Sequence, residues 1–248
     1  MKLKRTIAVV VIVLLISAVA YSGELTEEVI KLREKALKVT VEEMFNLASA
    51  RSDLVILDTR GPKAYAAGHI PTAINIPGWE IPQHENLLPS KDTPIVTYCD
   101  GQTCSMGFYA ADKLAQRKFA TVAVYAGGVR EWKQIGLPFV TTMEEQRPSI
   151  SAADLDLLID GAAPIKIYYA GTQQFFLLGA IPGSVSLHYS TVDQNLDKLP
   201  KDKSDSVVVY GRNRIDPTPY ALASKLIELG YTNVKIFKGG LAEWQKGN

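Results

Sequence analysis

Apolar runs of strand length alternate along this chain with stretches of helical spacing. Leu54–Leu57 is a continuous apolar run, the pattern of a strand buried on both faces, Ile95–Tyr98 reads as the next buried strand, and Val122–Tyr125 as another strand. Between these runs, apolar side chains recur at helical intervals. Met44, Phe45 and Leu47 do so in a helix expected over Val41–Ala50, and Met106, Tyr109, Ala110 and Leu114 in one over Ser105–Arg117. Thr40 followed by Glu43 has the spacing of a capping box. Shorter elements are expected as helices at Ala64–Ala67 and Val129–Gln134 and a strand at Ala73–Ile76, with Pro77–Pro94 rich in loops. Glu24–Lys38 reads as a loosely amphipathic helix or spacer. Strands alternating with helices predict an α/β fold with a mainly parallel central sheet flanked by helices.

The pattern then repeats. Thr40-Val-Glu-Glu returns as Ser151-Ala-Ala-Asp, and Gly68-His-Ile-Pro as Gly179-Ala-Ile-Pro, both 111 residues on. Tyr98-Cys99 returns as Tyr210-Gly211, and Gly127-Gly-Val-Arg-Glu-Trp132 as Gly239-Gly-Leu-Ala-Glu-Trp244, both 112 residues on. A register kept with one inserted residue predicts two copies of one α/β domain. The expected boundaries are 39–140 and 150–248, with a polar linker over 141–149. The second copy keeps the residues that shape the fold and loses the polar ones. Asp58 falls opposite Tyr169, Arg60 opposite Gly171, His69 opposite Ala180 and Cys99 opposite Gly211. Four chemically capable residues lost together point to a shared task in the first copy.

The N-terminus adds a compartment. Lys2, Lys4 and Arg5 precede an uncharged apolar run over Ile7–Ala20, and Ala20-Tyr21-Ser22 offers small residues for cleavage. This is the layout of a bacterial secretory signal peptide over 1–22, with 23–38 as spacer. The run is short for a spanning helix. The body is therefore expected to be periplasmic or secreted, or membrane-anchored if the leader stays uncleaved. After cleavage no stable membrane insertion is expected. A formal net charge of +1 over 248 residues gives no sign of a nucleic-acid partner. His69, His84 and His188 are scattered without ligand partners, so no metal site is expected, and no cofactor-binding glycine loop is seen.

Both cysteines lie in one loop, Cys99-Asp100-Gly101-Gln102-Thr103-Cys104-Ser105, between an expected strand and an expected helix. Unpaired amides of a helix start favour negative charge, which lowers a thiol pKa toward neutrality. Cys99 is read as the nucleophile. Backbone amides of Asp100 to Ser105 are expected to form an anion-binding nest around its sulfur, with Gly101 giving the curl. A bridge five residues apart closes a small ring, so a chemical role is preferred to a structural one. Cys104 has two readings: a small, partly buried residue at a helix start, or a resolving thiol that attacks a sulfenic acid on Cys99 or the Cys99 persulfide that the family resemblance given below implies. Asp58 and Arg60, at a strand end, are read as a supporting ion pair. His69 is read as a hydrogen-bonded structural histidine, and Trp79 and Trp132 as core or pocket wall.

Asp58-Thr-Arg60, Gly68-His-Ile-Pro-Thr-Ala73, Tyr98-Cys99 with its loop, and Gly127-Gly-Val-Arg-Glu-Trp132 together resemble the rhodanese-like, or sulfurtransferase, family. The resemblance covers the chain beyond about Lys38 as a tandem. It implies a parallel sheet with the cysteine loop at its carboxyl edge. It also implies transfer of sulfane sulfur through a Cys99 persulfide, from thiosulfate or another sulfane donor to a thiol or cyanide. A small sulfur-containing anion or thiol is thus the expected substrate, and a protein sulfur acceptor an expected partner. Two departures stand out. Many family members carry arginine five residues beyond the cysteine, where this chain has Cys104, and Asp100 adds an anion. Both changes weaken the expectation of efficient thiosulfate use. The family's familiar two-domain members also place the cysteine in the second domain, not the first.

Two alternatives remain. One is a thiol–disulfide or oxyanion reductase using Cys99 and Cys104. The other is a non-catalytic interaction module, a description that fits the second copy, where Gly211-Arg212-Asn213-Arg214 could contact anions. A phosphatase-like use fails because Ser105 stands where that chemistry needs arginine.

Overall fold

The computed structural model describes residues 27–161 and 164–247. The expected leader lies outside these residues.

The first domain opens with helix α1 (Glu27–Lys35) and strand β1 (Leu37–Val39). Helix α2 (Val41–Ala50) carries the expected capping box: Thr40 Oγ1 accepts from the Glu43 amide, and Glu43 accepts from the Thr40 amide at 2.7 Å. Strand β2 (Val55–Asp58), helix α3 (Pro62–Ala67) and strand β3 (Ile74–Asn75) follow. The loop-rich stretch contains a 3-10 turn at Gly78–Glu80, the single-turn helix α4 (Ile81–His84) and another 3-10 turn at Glu85–Leu87. Strand β4 (Ile95–Tyr98), helix α5 (Met106–Gln116), strand β5 (Val122–Tyr125) and helix α6 (Gly128–Gln134) complete the unit.

Its five strands lie in the order β1-β5-β4-β2-β3, all parallel. Successive side chains of β2 point to opposite faces. Ile56 joins Met44, Phe45, Tyr98 and Trp132 on one side, while Val55 and Leu57 join Ile76, Ala110 and Leu114 on the other. Burial on both faces explains why the central strands β2, β4 and β5 are mostly apolar. Trp132 is fully buried and stacks on Phe45 at 5.8 Å. Trp79 does not follow the expectation: it is 53 % exposed, on the 3-10 turn that packs beside the start of α5. The stretch expected as a helix or spacer forms helix α1 and also a strand. Part of it is β1, paired with β5, and Arg33 of α1 lies 5.3 Å over the Phe108 ring of α5.

Segment 141–149 holds helix α7 (Thr142–Glu145), with a second complete capping box between Thr141 and Glu144. The second domain runs α8 (Ala152–Asp160), β6 (Ile165–Tyr169), α9 (Gln173–Leu178), β7 (Val185–Ser186), β8 (Ser206–Tyr210), α10 (Thr218–Glu228), β9 (Val234–Phe237) and α11 (Gly240–Gly247). Its four-stranded sheet, β7-β6-β8-β9, is again parallel. Among the described residues no helix is long and apolar enough to cross a membrane.

The segment expected as a linker ties the domains together. The Glu145 carboxylate accepts from His69 Nε2 at 3.1 Å and from the Thr72 amide, and the Lys238 ammonium donates to the Glu145 carbonyl. Burial alone would raise the Glu145 pKa. The bonds from His69 and Thr72, with the charges of His69 and Lys238, outweigh it and hold the carboxyl below its ordinary 4.5. A depressed carboxylate contributes stability above its unfolded value and loses it as pH falls through the folded value. Glu145→Gln is therefore expected to cost about 1–3 kcal/mol at neutral pH, and less below about pH 4. Urea unfolding at both pH values measures it; an equal loss at both would remove the charge from the explanation.

Candidate functional site

The carboxyl ends of β2 and β4 bring Asp58, Arg60 and Cys99 to one edge of the sheet, because the two strands are adjacent and in register, Asp58 opposite Tyr98. Asp58 is fully buried and Arg60 is 8 % exposed. Arg60 Nη2 lies 2.6 Å from Asp58 Oδ2, its Nε 3.0 Å from Oδ1, and its amide donates to Oδ1 at 2.9 Å. A buried charge pair persists when its remaining hydrogen-bonding capacity is also met. Here it is: Tyr98 Oη donates to Asp58 at 2.6 Å, and Arg60 Nη2 also donates to the Gly68 carbonyl at 2.8 Å. Burial, with the Asp58 charge beside it, pushes the Tyr98 pKa well above the ordinary phenol value, so its hydroxyl stays a donor. For Arg60, burial disfavours the charge, but the Asp58 bond and charge prevail and raise its pKa. The ion pair expected between Asp58 and Arg60 is present.

Cys99 is 5 % exposed and is joined to Cys104 by a disulfide, with 6.2 Å between their Cα atoms. The loop between them turns on itself: the Cys104 amide donates to the Gly101 carbonyl at 2.9 Å. That amide is therefore not free for an anion, which corrects the expectation of a nest formed by every amide from Asp100 to Ser105. The loop carbonyls are held from the other side. The amides of Val129 and Arg130, in the first turn of α6, donate to Cys99 and Asp100 at 2.9 Å each. Such proximity needs Gly128: at φ +54° a Cβ there would sit 2.2 Å from the Cys99 carbonyl oxygen. Gln102 and Thr103 are exposed, Cys104 is half-buried, and Ser105 is buried before α5. The Asp100 side chain is mostly exposed, 4.0 Å from Arg60 Nη1.

His69 is not brought to the loop. It is fully buried and stacks on Tyr65 at 3.8 Å. Its Nδ1 meets the Tyr65 carbonyl at 2.9 Å and its Nε2 meets Glu145. Both partners are acceptors, so both bonds form when both ring nitrogens carry hydrogen. This is a structural histidine, placed at the domain boundary.

Sequence reasoning missed Arg130. Its Cβ lies 3.2 Å and its Nε 3.9 Å from where a Gly101 side chain would begin. It is exposed, and among the described residues it has no ion-pair partner. The repeat held the signal, since the matching residue of the second copy is Ala242.

The second copy has closed this site. A Cβ on Gly211 would lie 2.5 Å from Asp216 Oδ2, so the Asp216 carboxylate fills the place of the cysteine side chain. It accepts from the Arg212 amide at 2.7 Å and from the Thr218 amide and hydroxyl at 2.9 and 2.7 Å. The loop expected to contact anions is spent on the first domain instead. Arg212 Nη2 pairs with Glu42 at 2.9 Å, its guanidinium lying 5.0 Å from the Phe45 ring and 4.1 Å from that of Phe175. Asn213 Nδ2 donates to the Phe45 carbonyl at 2.8 Å, Arg214 donates to Thr72 Oγ1 and the Leu54 carbonyl, and Ile215 is part of the first domain's core.

The rhodanese-like domain family matches residues 40–135 and again 151–247. A sulfurtransferase of Allochromatium vinosum is 29 % identical over 103 residues, spanning 42 % of this chain and 94 % of that protein. The thiosulfate sulfurtransferase GlpE of Pseudoalteromonas translucida is 34 % identical over 83 residues, 34 % of this chain and 76 % of its own length. Among solved structures, a thiosulfate sulfurtransferase from Pseudomonas aeruginosa aligns over 85 % of this chain and 42 % of its own, with 23 % identity and a TM-score of 0.38.

Proposed function

The chain belongs to the rhodanese-like domain family, carrying the domain twice, and from that premise we propose that it is an extracytoplasmic sulfurtransferase whose first domain carries sulfane sulfur on Cys99. The supporting observation is the Cys99 loop, held at the sheet edge by the α6 amides and flanked by Arg60 and Arg130. The second copy, with Asp216 in the cysteine's place, serves as scaffold. Relatives named as sulfurtransferases support the reaction class.

In the reaction, the Cys99 thiolate attacks the outer sulfur of a donor such as thiosulfate. The sulfur–sulfur bond of the donor breaks and sulfite leaves. The outer sulfur of Cys99–S–S⁻ then passes to a thiol or cyanide. Cys99 must first be freed from Cys104. Treatment with a dithiol is therefore expected to switch on thiocyanate formation from thiosulfate and cyanide. Inactivity of both reduced and untreated protein, across several sulfane donors, would end this reading. The bond itself favours a second reading, thiol–disulfide exchange without a sulfane donor. Reduction of a disulfide substrate by the reduced chain alone would establish it.

Arg130 stands in for the loop arginine. Arg130→Ala is expected to raise KM for thiosulfate by up to about fivefold at low salt, the scale of an exposed charge contact. The difference narrows at high ionic strength, where such contacts are screened. Steady-state kinetics at two salt concentrations checks this. Export rests on the N-terminal pattern. Protein recovered from outside the cytoplasm and beginning at Gly23 would support it, and a cytosolic chain with its leader intact would oppose it.

A further inference from the structure

We propose that Cys104 resolves the Cys99 persulfide within the loop, so that the protein reduces sulfane sulfur to hydrosulfide and is left with the Cys99–Cys104 disulfide. The proposal rests on Cys99 carrying sulfane sulfur, and adds what the fifth residue of the loop does to it.

Two observations carry it. The first is the bond, which shows that the folded loop brings the two sulfurs together. The second comes from the other domain, where no covalent bond constrains the loop. Asp216 is the counterpart of Cys104, 112 residues on, just as Gly211 is the counterpart of Cys99. Its side chain also folds back onto the first loop position: its Cβ lies 2.9 Å and its Oδ2 2.5 Å from where a Gly211 side chain would begin. In both copies the chain aims the fifth residue at the first. The second copy places a carboxylate there, and the first a thiol. Both loops are backed by the same contact, helix amides on the loop carbonyls, with Leu241 and Ala242 repeating Val129 and Arg130.

The step balances. The Cys104 thiol attacks the inner sulfur of Cys99–S–S⁻. A Cys99–Cys104 bond forms, the bond to the outer sulfur breaks, and that sulfur leaves as HS⁻ with the proton of Cys104. The sulfane sulfur gains two electrons, and the two thiols lose them on becoming a disulfide. A dithiol reductant then restores both thiols by exchange. Its point of entry is Cys104, the half-buried sulfur, rather than Cys99, which is 5 % exposed. The co-reactant class is thus a dithiol, such as a partner protein with two vicinal thiols.

The test is a single turnover. The two-domain chain from Gly23 onward is reduced, freed of reductant and mixed with thiosulfate without an acceptor. The wild type is expected to release about one equivalent of hydrosulfide per chain and to lose both thiols. Cys104→Ser and Cys104→Ala are expected to release less than about a tenth of that and to retain an adduct of about 32 Da on Cys99. A wild type that keeps its adduct and its Cys104 thiol, without hydrosulfide, would overturn this proposal while leaving Cys99 as carrier. Absence of the adduct from both Cys104 variants, with wild-type circular dichroism, would overturn the carrier reading and this proposal with it.

Discussion

Serine in place of Cys99 is expected to lower thiocyanate formation by about a thousandfold or more, leaving only the uncatalysed rate. The oxygen cannot hold a sulfane sulfur as a persulfide does. His69 does not act as a base here, because it lies away from the loop with both nitrogens engaged by Tyr65 and Glu145. The change is small in volume, and the amides of Val129 and Arg130 still fasten the loop. The variant should therefore fold. Retention of more than about a tenth of the activity would mean that sulfur moves by a path other than this nucleophile.

The second large effect is on stability. Asp58→Leu leaves the Arg60 guanidinium buried without its partner and Tyr98 Oη without its acceptor. Breaking a buried pair from one side costs about 3–5 kcal/mol, a large part of a domain's usual 5–15. Removing both charges is expected to cost less than removing one. The second copy supports this, since Tyr169 and Gly171 occupy the matching positions in a complete parallel sheet. Urea unfolding of Asp58→Leu, Arg60→Met and the double variant Asp58→Leu/Arg60→Met measures the difference. Strict additivity of the single losses would contradict the account of the pair.

What the sequence reveals depends on how local the cause is. Strands β4 and β5 are legible to the residue because burial on both faces writes a mostly apolar run. Strand β1 is not legible. Leu37 is 61 % exposed and Lys38 interrupts the run, so its state depends on pairing with β5, 86 residues away. The Asp58–Arg60 pair is legible because the two residues are neighbours at a strand end. The Glu145 contact with His69 joins residues 76 apart and leaves no local trace. The exposure of Trp79 is not legible, because a large aromatic residue between glycine and proline-rich turns carries no periodic signal. The repeat exposed what the second copy lost, yet not that Asp216 fills the vacated space, which is a matter of loop geometry. For the same reason the sequence left two readings of Cys104, and the folded loop joins it to Cys99.

The central claim is that Cys99 carries the sulfur, and intact-mass measurement of Cys104→Ser tests it most directly. The chain has two cysteines, so this variant leaves Cys99 as the single thiol. After reduction and exposure to thiosulfate or a polysulfide, the account predicts a gain of about 32 Da that dithiol treatment or cyanide removes. An unchanged mass with every donor, in a variant that keeps the wild-type circular dichroism spectrum, would contradict it.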